Sequence, residues 1–203
     1  MIQACSQIDF REAMSRLLAA VNVITTDGPA GRFGMTASAI CSVTDAPPTV
    51  LACVNQKSGA HEALVLNGMA CVNILRSDHE ALARDFAGIT ALSHEERFQS
   101  GEWEQGELGL PRLAAALASL EGRIADLQTV GSHSVLFIEV QSIRLSEQGD
   151  GLAWFGRTFH RLGRPNAEAA KLVQRSLAPA VSPSRDVDSR IDLSQFPSGV
   201  ISR

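Results

Sequence analysis

Seven short apolar runs limit what this chain can become: VNVITT (21–26), FGMTASAI (33–40), TVLACVN (49–55), MACVNIL (69–75), GRIADLQTV (122–130), SVLFIEVQSI (134–143) and GLAWFG (151–156). Each has the length and composition of a strand. Turn chemistry separates them, as in DGPAGR at 27–32. Helical spacing is sparser. Phe10, Met14, Leu17 and Leu18, with Asp9 and Glu12 three apart, predict a helix over 9–19. Ser58 opens a second over 59–66, and Ser77 with Glu80 opens a third over 78–88. Ser93 with Glu96 starts a further turn. Strands and helices do not alternate regularly, so the pattern fits a largely antiparallel barrel or Greek-key sheet better than a doubly wound parallel one.

The chain has 203 residues, 45% of them apolar, enough for one substantial core. Residues 1–162 are expected to form one domain. The remainder, 163–203, holds four of the eight prolines and one amphipathic segment near 166–177, which suggests a short helix followed by an arm or a disordered tail. A net charge of −4 with no Lys/Arg block argues against nucleic acid as a partner. The sequence has no signal-peptide pattern and no long apolar run, so no membrane partner and a cytoplasmic location are expected. Cys5, Cys41, Cys53 and Cys71 form no C-x-x-C pair and read as buried reduced thiols rather than a disulfide or metal set. With no tyrosine present, aromatic contacts to a ligand must come from Phe, Trp or His.

Common catalytic motifs are missing. Gly28, Gly31 and Gly34 have the wrong spacing for a dinucleotide fingerprint, and no P-loop, H-E-x-x-H or G-x-S-x-G occurs. What remains are loops of small hydroxyl residues. TASAICSVTDAPP (36–48) and NQKSGAH (55–61) each follow an apolar strand. Small side chains leave backbone N–H groups open to a ligand, and Lys57 before a helix start at Ser58 suits a phosphate. On the residues alone, a ligand site and ordinary strand-capping turns are equally well served. GSHS (131–134) puts His133 at a strand entrance, where a barrel mouth would lie. WFGRTFH (154–160) sets aromatics beside Arg157, either to stack on a ring or as a core strand with one solvated charge.

In order along the chain, FREAMSRLLAAVNVITTDG, FGMTASAICSVTDAPPTVLACVNQKS, ACVNIL, ARDFAG, ERF, LASLEGRI, GSHSVLFIEV and GLAWFGRTFHRL resemble the short-chain flavin reductase family, the reductase components of two-component flavin-dependent monooxygenases. The resemblance covers about 9–162. It implies a mainly β fold with short helices, an FMN-binding split β-barrel of Greek-key topology, in a homodimer with the flavin near the subunit interface. It also implies FAD or FMN as flavin, NADH as donor, and a separate monooxygenase that receives reduced flavin. Matched residue by residue, the flavin ring falls on Thr36, Ala37, Ser38 and Ala39, with Ser42 and Thr44 beyond. Phosphate and ribityl contacts fall on Cys53, Val54, Asn55, Gln56, Lys57, Ser58, Gly59 and Ala60. Ala87 and Arg97 match positions beside the rest of the flavin. His133, the candidate catalytic residue, matches the histidine that approaches the nicotinamide, with Trp154, Phe155, Gly156, Arg157 and Phe159 alongside. Many members carry tyrosine there; in this chain Trp154, Phe155 or Phe159 would stack instead. Two other readings remain: a flavin-binding protein of the same barrel without turnover, and an interaction domain that works through its C-terminal arm.

Overall fold

The computed structural model describes residues 5–163, and the helix expected near 166–177 lies outside them. The chain opens with α1 (Gln7–Ser15), then β1 (Ala19–Ala20), β2 (Asn22–Thr26), β3 (Phe33–Ala37), β4 (Ile40–Asp45) and β5 (Pro48–Asn55). Next come α2 (Gly59–Asn67), β6 (Met69–Ile74), a 3-10 turn (Ser77–His79), α3 (Glu80–Phe86) and the one-turn α4 (His94–Arg97). A small hairpin, β7 (Trp103–Gln105) and β8 (Pro111–Leu113), precedes the long strands β9 (Ala118–Val130) and β10 (His133–Leu145). The hairpin β11 (Gly151–Phe155) and β12 (Thr158–Leu162) ends the described chain.

Seven strands make one antiparallel sheet in the order β3-β2-β6-β9-β10-β5-β4. Its two edges, β3 and β4, are consecutive in sequence and joined only by Ser38 and Ala39. Three Cα steps reach about 11 Å, whereas six strand spacings laid flat would span about 29 Å. The sheet therefore curls until its edges approach, and β3 comes into contact with β5. No ladder of strand pairing closes the remaining gap among the described residues.

Alternation decides what the curl encloses. On β10, Ser134, Leu136, Ile138 and Val140 are buried at period two. Leu136 and Ile138 meet Ile24, Ala52, Val54 and Val72 inside, with Ala60 and Leu64 of α2 plugging the core. Ser58 caps that helix, and Gly68 ends it in the left-handed region with its N–H on the Leu64 carbonyl. A second layer covers the outside of β2, which is buried at every position. There Phe86 and Leu82 of α3 pack with Leu75, Leu113 and Leu152. Asn73, fully buried in β6, ties the layers together: it donates to the Val23 carbonyl and accepts from the Leu113 N–H and the Ser119 hydroxyl.

Several expectations are corrected. The first helix runs over 7–15 rather than 9–19. Ser6 caps it by accepting the Asp9 N–H, and 19–20 joins a sheet with β11 and β12 instead. The loop expected over 36–48 is mostly strand, because β4 pairs along β5 from Ile40 to Asp45. The 78–88 helix is a 3-10 turn followed by 80–86, with Arg76 rather than Ser77 before it. Strands β7, β8 and β12 had no period long enough to register. WFGRTFH is a hairpin, reversed by Gly156 and Arg157, both at positive φ (58° and 64°), as a two-residue primed turn requires. Of the cysteines, all free, only Cys71 is fully buried; Cys5 and Cys41 are exposed. Burial pushes the Cys71 thiol up to about 12, so it acts as a small apolar side chain. Among the described residues no helix is long and apolar enough to cross a membrane.

Gly122 shows how tightly the central strands pack: a Cβ there would lie 2.1 Å from the Glu139 carbonyl oxygen, beside a β9–β10 bulge. Gly122→Ala is expected to cost about 2–3 kcal/mol, read as a lower urea midpoint with an unchanged slope. An unshifted midpoint would show that the bulge absorbs the methyl.

Candidate functional site

Three clefts adjoin along β3. The first, about 430 Å³, lies between Thr36, the turn Asn55–Gly59, the C-terminal end of α3 and α4. The second, about 200 Å³, is mostly apolar and shares Thr36 and Ala87 with the first. The third, about 820 Å³, shares Ser38 and Trp154 with the second and opens between α1 and the ends of β5 and β10. The shared residues make one groove that follows the line where the curled sheet's edges approach.

Its ends differ chemically. Lys57, Arg97 and His94 line the first cleft, which has no carboxylate among its lining residues. Asn55 shapes the turn by accepting the Lys57 N–H at 2.9 Å, and Ser58 accepts the Ala60 N–H, placing the start of α2 on the cleft. This end favours an anion. The middle is bounded by Thr36, Ser38, Ala87 and Trp154, three of them small, so a flat ring can approach the backbone. The third cleft is lined by His133, Cys53, Trp154 and Arg157 together with Phe10 and Met14 of α1 and Leu17 just after it. Arg157 pairs with Glu12 at 2.9 Å, and the Gly156 N–H donates to the Ser15 carbonyl, latching the hairpin onto α1. The hydrogen bond and charge of the Arg157 guanidinium hold the Glu12 carboxyl below its usual range.

The groove gathers Thr36, Ser38, Ala39, Cys53, Asn55, Lys57, Ser58, Gly59, Ala87, Arg97, His133, Trp154, Arg157 and Phe159. Thr36 reaches it with its hydroxyl proton already donated to the Ala83 carbonyl at 2.7 Å, so the side chain can accept from a ligand but not donate to it. Other candidates lie elsewhere. Ser42 and Thr44 stand exposed on the edge strand β4, where the Thr44 hydroxyl accepts the Ala46 N–H. Ala37, Val54 and Ala60 are core residues that can offer backbone alone. Gln56 turns toward Ser134, Phe155 faces His160, and Gly156 makes the hairpin turn. Stacking thus falls to Trp154 and Phe159, whose rings meet edge-on at 4.8 Å. Residues not foreseen include Gly34, Met35, Phe86, His94 and the apolar face of α1. The periodicity of 9–19 marked that face as apolar, but nothing local told which cavity it would wall.

Residues 14–163 match the model of the flavin reductase like domain. The chain belongs to that family, and is an oxidoreductase by membership. It is 53% identical over 160 residues to the 4-hydroxyphenylacetate 3-monooxygenase reductase component of Pseudomonas aeruginosa, covering 79% of this chain and 94% of that one. It is 47% identical over 161 residues to the FMN reductase (NADH) RutF of Pseudomonas syringae, covering 79% and 89%. Among solved structures, the Streptomyces globisporus NADH:FAD oxidoreductase SgcE6, in complex with NAD and FAD fragments, superposes with a TM-score of 0.72 at 29% identity, over 82% of this chain and 98% of that one.

Gly34 holds the groove open: its Cβ would sit 2.6 Å from the Phe86 ring, which is wedged against Phe98 and Trp103. Gly34→Ala should destabilise the fold by about 1–3 kcal/mol and weaken flavin binding in a fluorescence titration. Unchanged melting and unchanged binding would mean that Phe86 has room to retreat.

Proposed function

We propose that the chain is an NADH-dependent flavin reductase that transfers a hydride to FAD or FMN and releases the reduced flavin to a separate monooxygenase. One observation carries this reading. A single groove joins a cationic, helix-capped end to a small-residue middle and an end that holds His133 and Trp154. Phosphate, ring and nicotinamide would need that order. The names of the relatives support the cofactor pair, and that of the Pseudomonas aeruginosa relative supports an aromatic-hydroxylating partner.

When bound, flavin and nicotinamide supply the hydride chemistry themselves: NADH loses a hydride, and the flavin gains it with a proton from water. The chain's residues bind and orient. Lys57 and Arg97 would neutralise phosphate, and the backbone at Ser38 would donate to the ring's polar edge, where negative charge builds on reduction, while Ala87, whose N–H is bonded to the Ala83 carbonyl, would only bound the space. His133, whose Nδ1 lies 3.0 Å from the Ser132 hydroxyl, is held at the strand entrance to position the nicotinamide or to donate to its carboxamide. Trp154 excludes water beside it.

The same proposal includes the split Greek-key barrel, which the two-residue edge link favours, and a homodimer. Phe10, Met14, Leu17 and Val130 line the third cleft and are exposed, and α1 buries none of its residues. A second copy would cover that surface. Residues 163–203 are proposed as an appendage to the 1–162 domain, and a cytoplasmic location follows from the supply of NADH.

Mixing NADH with flavin and a catalytic amount of protein under anaerobic conditions tests turnover. Loss of the yellow flavin absorbance is expected; flavin that binds but stays yellow indicates a carrier without turnover. His133→Ala should raise the KM for NADH several-fold, the effect of about 1 kcal/mol, and change flavin affinity less. Equal NADH kinetics would remove His133 from this role.

A further inference from the structure

Nδ1 of His94 is the one buried side-chain nitrogen or oxygen without a hydrogen-bond partner among the described residues. Such orphans are rare, and this one lies in the wall of the cationic cleft, with Lys57, Ser58, Gly59 and Arg97 around the same space. Three contacts fix the ring. Its helix is held by a reciprocal cap, in which Ser93 accepts the Glu96 N–H and the Glu96 carboxylate accepts the Ser93 N–H at 2.8 Å. Phe33 packs on the imidazole with ring centroids 4.8 Å apart. Nε2 lies over Gly59, so close that a Cβ there would come within 2.7 Å. The absent side chain at Gly59 is what lets Nε2 reach the first turn of α2.

The ring's protonation follows from its surroundings. A buried N–H with nothing to donate to is avoided more strictly than a buried lone pair, so the proton of the neutral ring belongs on Nε2. A second proton would have to sit on buried Nδ1. Burial, reinforced by the Arg97 guanidinium, holds the imidazole below its usual range. Lys57 from the β5–α2 turn adds a further cation at the cleft. Glu95 and Glu96 lie on His94's own helix, but Glu96 is committed to the Ser93 cap. At neutral pH the ring therefore offers one N–H and no charge.

We propose that His94 is a ligand of the flavin phosphate, donating a hydrogen bond from Nε2 as a neutral imidazole beside the charges of Lys57 and Arg97. The assignment rests on reading the groove as a flavin site. The same oxygen chemistry is presented by the phosphomonoester of FMN, the pyrophosphate of FAD and free phosphate. A neutral third donor adds direction without a third positive charge, which suits a flavin that must leave after reduction.

Binding of FMN, FAD, riboflavin and inorganic phosphate to wild type, His94→Phe and His94→Gln tests this. Phenylalanine keeps the contact with Phe33 but removes the donor; glutamine restores one. His94→Phe is expected to lose about tenfold in FMN affinity, with riboflavin affinity unchanged, and His94→Gln to recover part of the loss. A parallel loss for FAD assigns the contact to the phosphate common to both nucleotides. Weaker competition by inorganic phosphate in His94→Phe assigns it to the anion alone. In nitrogen-15 spectra of the wild type, FMN should shift the His94 Nε2–H signal, and riboflavin should not. The proposal is overturned if the FMN-to-riboflavin affinity ratio is the same in wild type and His94→Phe, or if the proton resides on Nδ1. Wild type that binds neither FMN nor riboflavin would instead overturn the reading of the groove as a flavin site.

Discussion

Everything in this structure hangs on a two-residue link. Ser38 and Ala39 connect the opposite edges of a seven-stranded sheet, and a chain that short forces the sheet to curl. The curl creates the inner core around Leu136, Ile138, Ile24 and Val54. It also leaves a seam where β3 and β4 part. A sheet edge in water is a row of unpaired backbone donors and acceptors. Here the groove runs along β3, the Ser38–Ala39 link and the end of β5, so a feature that is a liability in other sheets borders a place where a polar ring could be held.

The groove's polarity is a consequence of which segments end on the seam. β5 delivers Asn55 and Lys57 together with the start of α2 at one end, because its pairing with β10 runs out at Asn55 opposite His133. The same pairing therefore sets the positions of the phosphate-side turn and of the histidine. α3 closes the middle with Ala87, and the second core layer of Phe86, Phe98 and Trp103 holds it there. The outer wall is a different kind of structure. α1 buries no residue of its own and is tied down mainly by Glu12 to Arg157 and Ser15 to Gly156. Exposed ion pairs of this type contribute little to stability, so this wall is the part of the groove that yields most easily.

Much of this was legible in the sequence, and the exceptions have physical causes. Strands with clean alternation, such as β10, and helices with a hydroxyl cap, such as α2 after Ser58, were readable because the local pattern is also what tertiary packing uses. β4 was not. ICSVTD carries small hydroxyl residues because it is an exposed edge strand, and an edge strand and a ligand loop draw on the same residue types. Composition could not separate them; pairing with β5 does. Lys57, Ser58 and His133 could be named because they stand at strand and helix ends, where function concentrates. Gly34 and His94 could not, since the meaning of each depends on a partner far away in sequence, Phe86 for the first and Gly59 for the second.

The balance of donors in the groove bears on release as much as on capture. Two cations, a helix start and small-residue backbone would hold a phosphate and a ring by contacts that water can replace one at a time, and the clefts are open along their length. A resident cofactor would call for deeper burial or a covalent tie, whereas a carrier that hands its product to another enzyme needs affinity high enough to orient the ring and low enough to let it go. Ring-facing donors in such a groove would act mainly on the reduced, more negative flavin. Stabilising that state speeds hydride transfer but also slows departure, so the remaining contacts cannot all be strong. The committed hydroxyl of Thr36 and the apolar lining of the second cleft fit that constraint: they shape the space for the ring while adding little hold on it.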